Sequence, residues 1–187
     1  MRKIIKNNLD QKGIADELFR IIDDIRKKTI DLTSNLNESE LKFKNTEYSW
    51  SILEILQHLV KIETIFYLAI KNSLLPENKL ETFVYTYRID EFTRNFILNR
   101  NNKMKAPPVA EPKDKMSYNQ IVSKLERSRQ NVKKLVFSNL DKNLFAQASV
   151  YPITGEKAVN IFIWIDLLGI HDQKHYMQIK EILALIR

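Results

Sequence analysis

Residues that interrupt helices are scarce in this chain, and that scarcity constrains its fold more than any other feature. Its 187 residues include three glycines and five prolines, which favours long helices over turn-rich sandwiches and barrels. Four segments repeat apolar residues at the three- and four-residue spacing of an amphipathic helix. We predict helices over residues 11–36, 51–75, 117–139 and from 156 to the C-terminus, packed as an all-α four-helix bundle in one domain, 1–187.

Capping signals and apolar stripes define the first three predicted helices. Ser51 and Glu54 have the spacing of a capping box, and Trp50 precedes them at the position of a hydrophobic staple. Ser117 and Gln120 repeat the capping-box spacing before the third helix. The first helix carries its apolar residues on one predicted stripe, namely Ile14, Leu18, Ile21, Ile25, Leu32 and Leu36.

The connections between these helices differ in length. Short polar segments join the first helix to the second and the third to the fourth, whereas residues 76–116 separate the second from the third. Within that segment Tyr85, Ile89, Phe92 and Phe96 recur at helical spacing and predict a short crossing helix, which the prolines after Ala106 end. A long crossover lets the second and third helices run parallel, so we predict an up-down-down-up bundle.

Three histidines interrupt the apolar stripes of two predicted helices. His171 and His175 are four residues apart, so both side chains lie on one face, about 5–6 Å apart at Cβ. Leu167 and Ile179 continue their stripe on either side, and His58 interrupts the stripe of the second helix in the same way. Since a buried imidazole without a partner costs about 1–3 kcal/mol, one divalent ion shared by the three histidines is an economical interpretation.

The three histidines also allow other interpretations. A core histidine often bonds a backbone carbonyl, and the spacing of His171 and His175 alone is common by chance. A third histidine on another core stripe, with none left elsewhere, favours a metal site. His171, Asp172 and His175 also resemble the zinc-protease pattern with Asp replacing Glu, but few residues follow that could supply a third ligand. We therefore predict His58, His171 and His175 as metal ligands, a set that suits zinc, nickel, copper or iron.

Composition excludes several other classes of protein. The chain has no cysteine, which excludes disulfides, zinc–thiolate sites and a cysteine nucleophile. No apolar stretch follows the basic residues 1–8, as a signal peptide requires, and the apolar run 161–170 is too short to span a bilayer. The net charge of +7 is spread along the chain without interleaved aromatic residues, which disfavours nucleic-acid binding. We expect a soluble cytoplasmic protein without a membrane partner.

Several short motifs, taken together, resemble those of one known family. They are Trp50 before the second helix, Ile-Leu-Gln-His58-Leu within it, His171-x-x-x-His175-x-x-Gln178-Ile179 in the last helix, Lys105-Ala-Pro, Ser117 before the third helix, and Tyr151-Pro152 with Gly155. Over nearly the whole chain this pattern resembles the DinB-like superfamily, which includes YfiT-like metal-dependent hydrolases. Members of that superfamily often carry a histidine where Tyr151 stands.

The resemblance implies a three-histidine site for a divalent metal ion, with zinc or nickel favoured, and a homodimer. Characterised members include thiol transferases that use bacillithiol or mycothiol, and a maleylpyruvate isomerase. We therefore favour a metal-dependent transferase that joins a low-molecular-weight thiol to a small electrophile, because an open metal position favours the thiolate.

Two further functional hypotheses stay open. The first is hydrolysis by a metal-activated water, with Glu54 as a candidate base, although its role in the capping box is the simpler interpretation. The second is a non-catalytic, stress-related module in which the metal serves only folding. Arg100, Lys103 and Lys105 could attract an acidic thiol, but as residues of a loop they are left outside the predicted site.

Overall fold

The computed structural model describes residues 10–83, 85–102, 105–113, 115–150 and 158–186. Its α-helices are α1 (Gln11–Thr33), α2 (Glu38–Lys42), α3 (Ile52–Ser73), α4 (Glu91–Leu98), α5 (Tyr118–Phe137) and α6 (Ile161–Ile186). Single 3₁₀ turns occupy Pro76–Asn78 and Pro108–Ala110, and strands β1 (Ala148–Val150) and β2 (Ala158–Asn160) pair antiparallel. The long helices α1, α3, α5 and α6 form the bundle.

Contacts between the long helices give their directions. Helices α1 and α6 are parallel, because Ile22 contacts Gly169 and, further along both helices, Arg26 contacts Asp172. Helices α1 and α5 are antiparallel, as the contacts of Phe19 with Phe137 and of Thr33 with Tyr118 show. Helices α3 and α6 are also antiparallel, as the contacts of Phe66 with Trp164 and of His58 with His171 show. Helices α3 and α5 are therefore parallel, and the predicted up-down-down-up topology is confirmed.

The apolar side chains of the bundle divide into two clusters, one toward each end. The first includes Ile22, Phe66 and Trp164, and the second includes Leu59 and Ile179. Between them the same helices carry buried polar residues, among them all the buried charged side chains of α1, α3 and α5. This polar layer divides an otherwise continuous core and contains the candidate site.

The predicted helix starts fare unevenly. Both capping boxes are confirmed, at Ser51 with Glu54 and at Ser117 with Gln120. The prediction that the last helix starts near residue 156 is wrong, because residues 158–160 form β2. Helix α6 begins only at Ile161, where the side-chain oxygen of Asn160 accepts from the backbone N–H of Ile163. Residues 151–157, with the predicted start and the Tyr151 motif, lie outside the described residues.

Two other differences concern the first helix and the crossover. The buried face of α1 includes Ile22 and Arg26, whereas the predicted Ile21 and Ile25 are only half-buried. The apolar pattern misplaced this face because a buried arginine occupies it. The crossing helix spans only Glu91–Leu98, so Tyr85 and Ile89 lie before it. In the described part of the chain, no helix is long and apolar enough to cross a membrane.

Candidate metal centre

The three predicted ligands come together in the polar layer between the two core clusters. His58 lies in the N-terminal half of α3, and His171 and His175 lie one turn apart on α6. The ring centroids are 5.1 Å apart for His58 and His171, 4.8 Å for His58 and His175, and 4.5 Å for His171 and His175. One ligand nitrogen from each residue lies within 4.8 Å of the other two. The structure thus assembles every histidine of the chain in one group able to hold a metal ion.

Hydrogen bonds orient two of the three imidazole rings. The Nδ1 of His58 lies 2.8 Å from the carbonyl oxygen of Ala110. Because a carbonyl oxygen can only accept, Nδ1 donates and Nε2 keeps its lone pair. The Nδ1 of His175 donates in the same way to Oε1 of Gln178, at 2.8 Å. Such partners fix the ring and tautomer that a metal ligand requires.

The separation of the nitrogens provides a test of the fit to an ion. The Nε2 atoms of His58 and His171 are 3.3 Å apart. Two nitrogens that each bind one tetrahedral zinc at 2.0–2.1 Å lie about 3.3 Å from each other. The Nδ1 of His171 is buried without a hydrogen-bond partner among the described residues, so Nε2 is the nitrogen of this ring that faces another ligand. The donor set fits one divalent ion.

All three histidines have pKa values below the ordinary value for the side chain. Burial is the main cause in each case, since it disfavours the charged imidazolium. The pKa values of His171 and His175 are lowered furthest, and the proximity of each residue to His58 lowers its pKa further. For His58, Lys61 adds to the effect and the Ala110 carbonyl opposes it. The rings are therefore neutral near pH 7, the form that binds metals.

The two carboxylates that the sequence suggested as bases are engaged elsewhere. Glu54 accepts from the backbone N–H of Ser51 at 2.8 Å and from Nζ of Lys44 at 2.7 Å. Asp172 is buried and accepts from Arg26 and Arg129, at 2.9 and 2.8 Å. Both carboxylates are thus bonded to partners outside the histidine group, which disfavours both the protease pattern and Glu54 as a base.

Several cationic side chains lie near the histidines. Lys174 follows His171 by one helical turn and is half-buried, with Nζ donating to the carbonyl oxygen of Asn102 at 3.3 Å. Burial and the nearby Arg100 both lower the pKa of Lys174. Arg100 itself pairs with Glu181 at 3.2 Å. Of the other loop cations in the sequence, Lys105 is exposed and Lys103 lies outside the described residues.

Sequence reasoning did not predict an orienting role for the groups that contact the ligand rings. Gln178 lies three residues after His175, so helical spacing alone could have placed it beside the ring. Trp50 packs against the His58 ring with centroids 4.8 Å apart, although the sequence suggested only a staple for it. The Ala110 carbonyl reaches His58 from a 3₁₀ turn of the crossover. A backbone acceptor on a distant loop has no sequence signal.

Comparison with known proteins gives a family, a relative and a similar fold. The model of the DinB superfamily matches residues 21–179. The chain is 30% identical over 163 residues to the uncharacterized protein YuaE of Bacillus subtilis, which covers 87% of this chain and 94% of YuaE. Its fold is similar to that of YfiT from Bacillus subtilis, described as a probable metal-dependent hydrolase with an unusual four-helix bundle topology. That similarity has a TM-score of 0.59 at 14% identity and covers 92% of this chain and 87% of YfiT.

Proposed function

Because this chain belongs to the DinB superfamily, we propose that it is an enzyme that uses one divalent metal ion to transfer a low-molecular-weight thiol to a small electrophile. His58, His171 and His175 hold the ion, which is zinc or nickel. The observation that supports this most strongly is a largely buried group of three neutral imidazoles without a carboxylate among them. Three protein ligands are typical of catalytic rather than structural zinc sites.

The neutral ligands determine what such a centre does chemically. A bound divalent cation keeps its full charge on three imidazoles and so favours the thiolate of a bound thiol, the nucleophilic form. The protein contributes imidazole rings of fixed orientation: a hydrogen bond to Ala110 holds the ring of His58, and a hydrogen bond to Gln178 holds the ring of His175. It has no cysteine to act as nucleophile, so the thiol must come from a cosubstrate.

The surrounding charges suit an anionic cosubstrate. Lys174 directly precedes His175 and follows His171 by about one turn of α6, and no carboxylate pairs with it among the described residues. Lys61 of α3 lies close enough to His58 to lower its pKa. Positive potential at a site raises the local concentration of anions and speeds their association. A thiol that carries acidic groups would be attracted both by the metal ion, through its sulfur, and by the nearby lysines, through its carboxylates.

Hydrolysis is the second candidate, because the structural relative YfiT is described as a probable metal-dependent hydrolase. Water differs from a thiol in needing stronger activation, for which hydrolases commonly use a base beside the metal. Glu54 and Asp172, the carboxylates nearest the histidines in sequence, are held by Lys44 and by two arginines. This engagement favours the thiol over water as the nucleophile.

We also propose a homodimer and a small-molecule substrate rather than nucleic acid.

The test is a set of turnover assays on protein loaded with zinc or nickel. Thiols with and without carboxylates are supplied with a reactive electrophile, and an ester and an amide are tested in parallel. We expect thiol addition that depends on the metal, is lost in His171→Ala, and is fastest with the acidic thiol. Ester or amide cleavage without thiol addition would establish the hydrolase instead. Metal binding without any turnover, together with unfolding on metal removal, would favour the binding module.

A further inference from the structure

A second buried group, made of charged side chains, lies beside the histidines in the polar layer. It contains two arginines and two carboxylates, so its formal charges cancel. Each of the four long helices contributes one member: Arg26 from α1, Glu63 from α3, Arg129 from α5 and Asp172 from α6. No member has a side chain more than 10% exposed. We call these four residues the charge quartet.

Each arginine of the quartet contacts both carboxylates. Arg26 lies 3.2 Å from Glu63 and 2.9 Å from Asp172. Arg129 donates from Nη2 to Asp172 at 2.8 Å and from Nε to Glu63. Burial alone would lower the pKa of Arg129, but Asp172 and Glu63 raise it overall. Two planar guanidinium groups thus hold two carboxylates in a closed ring of charge-assisted hydrogen bonds.

The quartet members are divided between the helices in a way that concerns the histidines. Both carboxylates come from α3 and α6, the helices that carry the histidines, and both arginines come from α1 and α5, which carry none. The arginines therefore link the two histidine-bearing helices to each other. Asp172 directly follows His171, and successive side chains on a helix differ by about 100° in direction. Holding Asp172 between Arg26 and Arg129 leaves His171 turned toward α3.

We propose that Arg26 and Arg129 are positioning residues for the metal centre. By joining Glu63 to Asp172 they set the separation and rotation of α3 and α6, and hence the 3.3 Å between Nε2 of His58 and Nε2 of His171. This inference rests on the proposed metal function and adds the device that gives the centre its geometry. It explains why the core contains four charges where apolar residues would serve stability equally well.

The energetics of buried ions support a role in specificity. Replacing a buried ion-pair network by apolar residues is often neutral or stabilising, whereas removing one partner costs about 3–5 kcal/mol. The best-attested function of such groups is to fix the register of neighbouring helices. Register matters here, because groups that orient metal ligands typically change metal affinity by about 10–100-fold when they are replaced.

The test is a titration of metal-free protein with Co²⁺, in which the visible absorption of the bound cobalt is recorded after each addition. Cobalt serves as the probe because the position and intensity of its bands report ligand geometry separately from the amount bound. Arg26→Lys keeps the buried positive charge but cannot reach both carboxylates with a planar fork. Arg26→Met combined with Asp172→Asn removes one charge of each sign, so the quartet stays neutral.

The matched control is Lys28→Met with Asp24→Asn, which removes an ion pair of the same helix. That pair lies on the surface, with side chains 58% and 54% exposed. Far-UV circular dichroism and the thermal transition of each metal-free variant give the folded fraction, so affinity is expressed per folded molecule. If the double variant does not fold, Arg26→Lys decides the outcome alone.

We expect both quartet variants to bind Co²⁺ about tenfold more weakly, with shifted or weakened bands, and the surface control to match the wild type. Wild-type affinity and an unchanged spectrum in folded Arg26→Lys would overturn the positioning role while leaving the metal centre intact. A role confined to stability predicts an unchanged spectrum whose amplitude follows the folded fraction, and that result also overturns it. If the wild-type protein binds no Co²⁺, the metal function itself fails and the positioning role fails with it.

Discussion

Acidification should destabilise the metal-free protein in a pH range where few other groups titrate. His175 is buried and His171 is half-buried with its Nδ1 atom buried, and both have pKa values well below the ordinary one, because burial disfavours their charged forms. In the unfolded chain both histidines regain a pKa of about 6.5. Below that pH the unfolded state binds protons that the folded state does not, so the free energy of unfolding falls as the pH falls. Above about pH 7 the histidines add no pH dependence.

The size of this effect follows from proton linkage. Each histidine that stays neutral in the fold contributes about 1.4 kcal/mol per pH unit below its unfolded pKa. Between pH 7.5 and 5.5, His171 and His175 together should remove about 3 kcal/mol from the free energy of unfolding. His58, whose pKa is lowered less strongly, adds to that loss. Carboxylates of the unfolded chain, with pKa values near 4, stay ionised throughout this range.

The assay is urea denaturation of protein kept free of metal by a chelator, at half-unit steps from pH 7.5 to 5.5. His175→Gln is the informative variant, because it removes one titrating ring and should reduce the loss by about 1.4 kcal/mol. Excess zinc should raise the stability at pH 7.5, where the rings are neutral ligands. A free energy of unfolding that does not change between pH 7.5 and 5.5 would refute the conclusion that these imidazoles stay neutral in the folded protein.

Three further predictions test other parts of the structure. In Gly169→Ala a new Cβ would lie 2.5 Å from Cγ2 of Ile22 on α1, so we expect a loss of about 1–2 kcal/mol in urea denaturation despite the better helix propensity of alanine; a stabilised variant would contradict the close packing of α1 on α6. Glu54→Gln keeps the capping-box hydrogen bond and should leave metal content and activity at wild-type levels, so a selective loss of activity would make Glu54 the base after all. Binding to DNA, followed by fluorescence anisotropy, should be weak, independent of sequence and steeply reduced by salt, and tight sequence-selective binding at physiological salt would show that the basic surface has been misinterpreted.

Local sequence signals were enough to predict most of the bundle and the convergence of all three histidines in its core. Capping boxes at Ser51 and Ser117 involve residues three apart, and the facing of His171 and His175 depends only on helical spacing. The short helix α2 was missed although Asn37 and Glu40 form a third capping box, because few apolar residues follow it. A local capping signal therefore predicted a helix where an apolar stripe followed it, as at Ser51 and Ser117.

Long-range contacts explain what the sequence could not predict. The charge quartet joins four helices through Arg26, Glu63, Arg129 and Asp172, and each of these residues alone resembles an ordinary surface charge. The quartet affected the sequence prediction at one place: Arg26 occupies a buried position on α1, and the apolar stripe was therefore predicted partly on the wrong face of that helix. The hairpin before α6 was missed for a similar reason, since β2 is three residues long and is defined by its pairing with β1.

His58, His171 and His175 are proposed to bind one metal ion together. The most direct measurement is the metal content of purified protein, by elemental analysis after loading with zinc or nickel and removal of excess ion, alongside His58→Ala, His171→Ala and His175→Ala. We predict one ion per wild-type chain and a sharp loss in each variant, with helical content preserved because both apolar clusters remain. Full occupancy in all three variants, or no bound ion in the wild-type protein, would show that these histidines do not form a shared metal site.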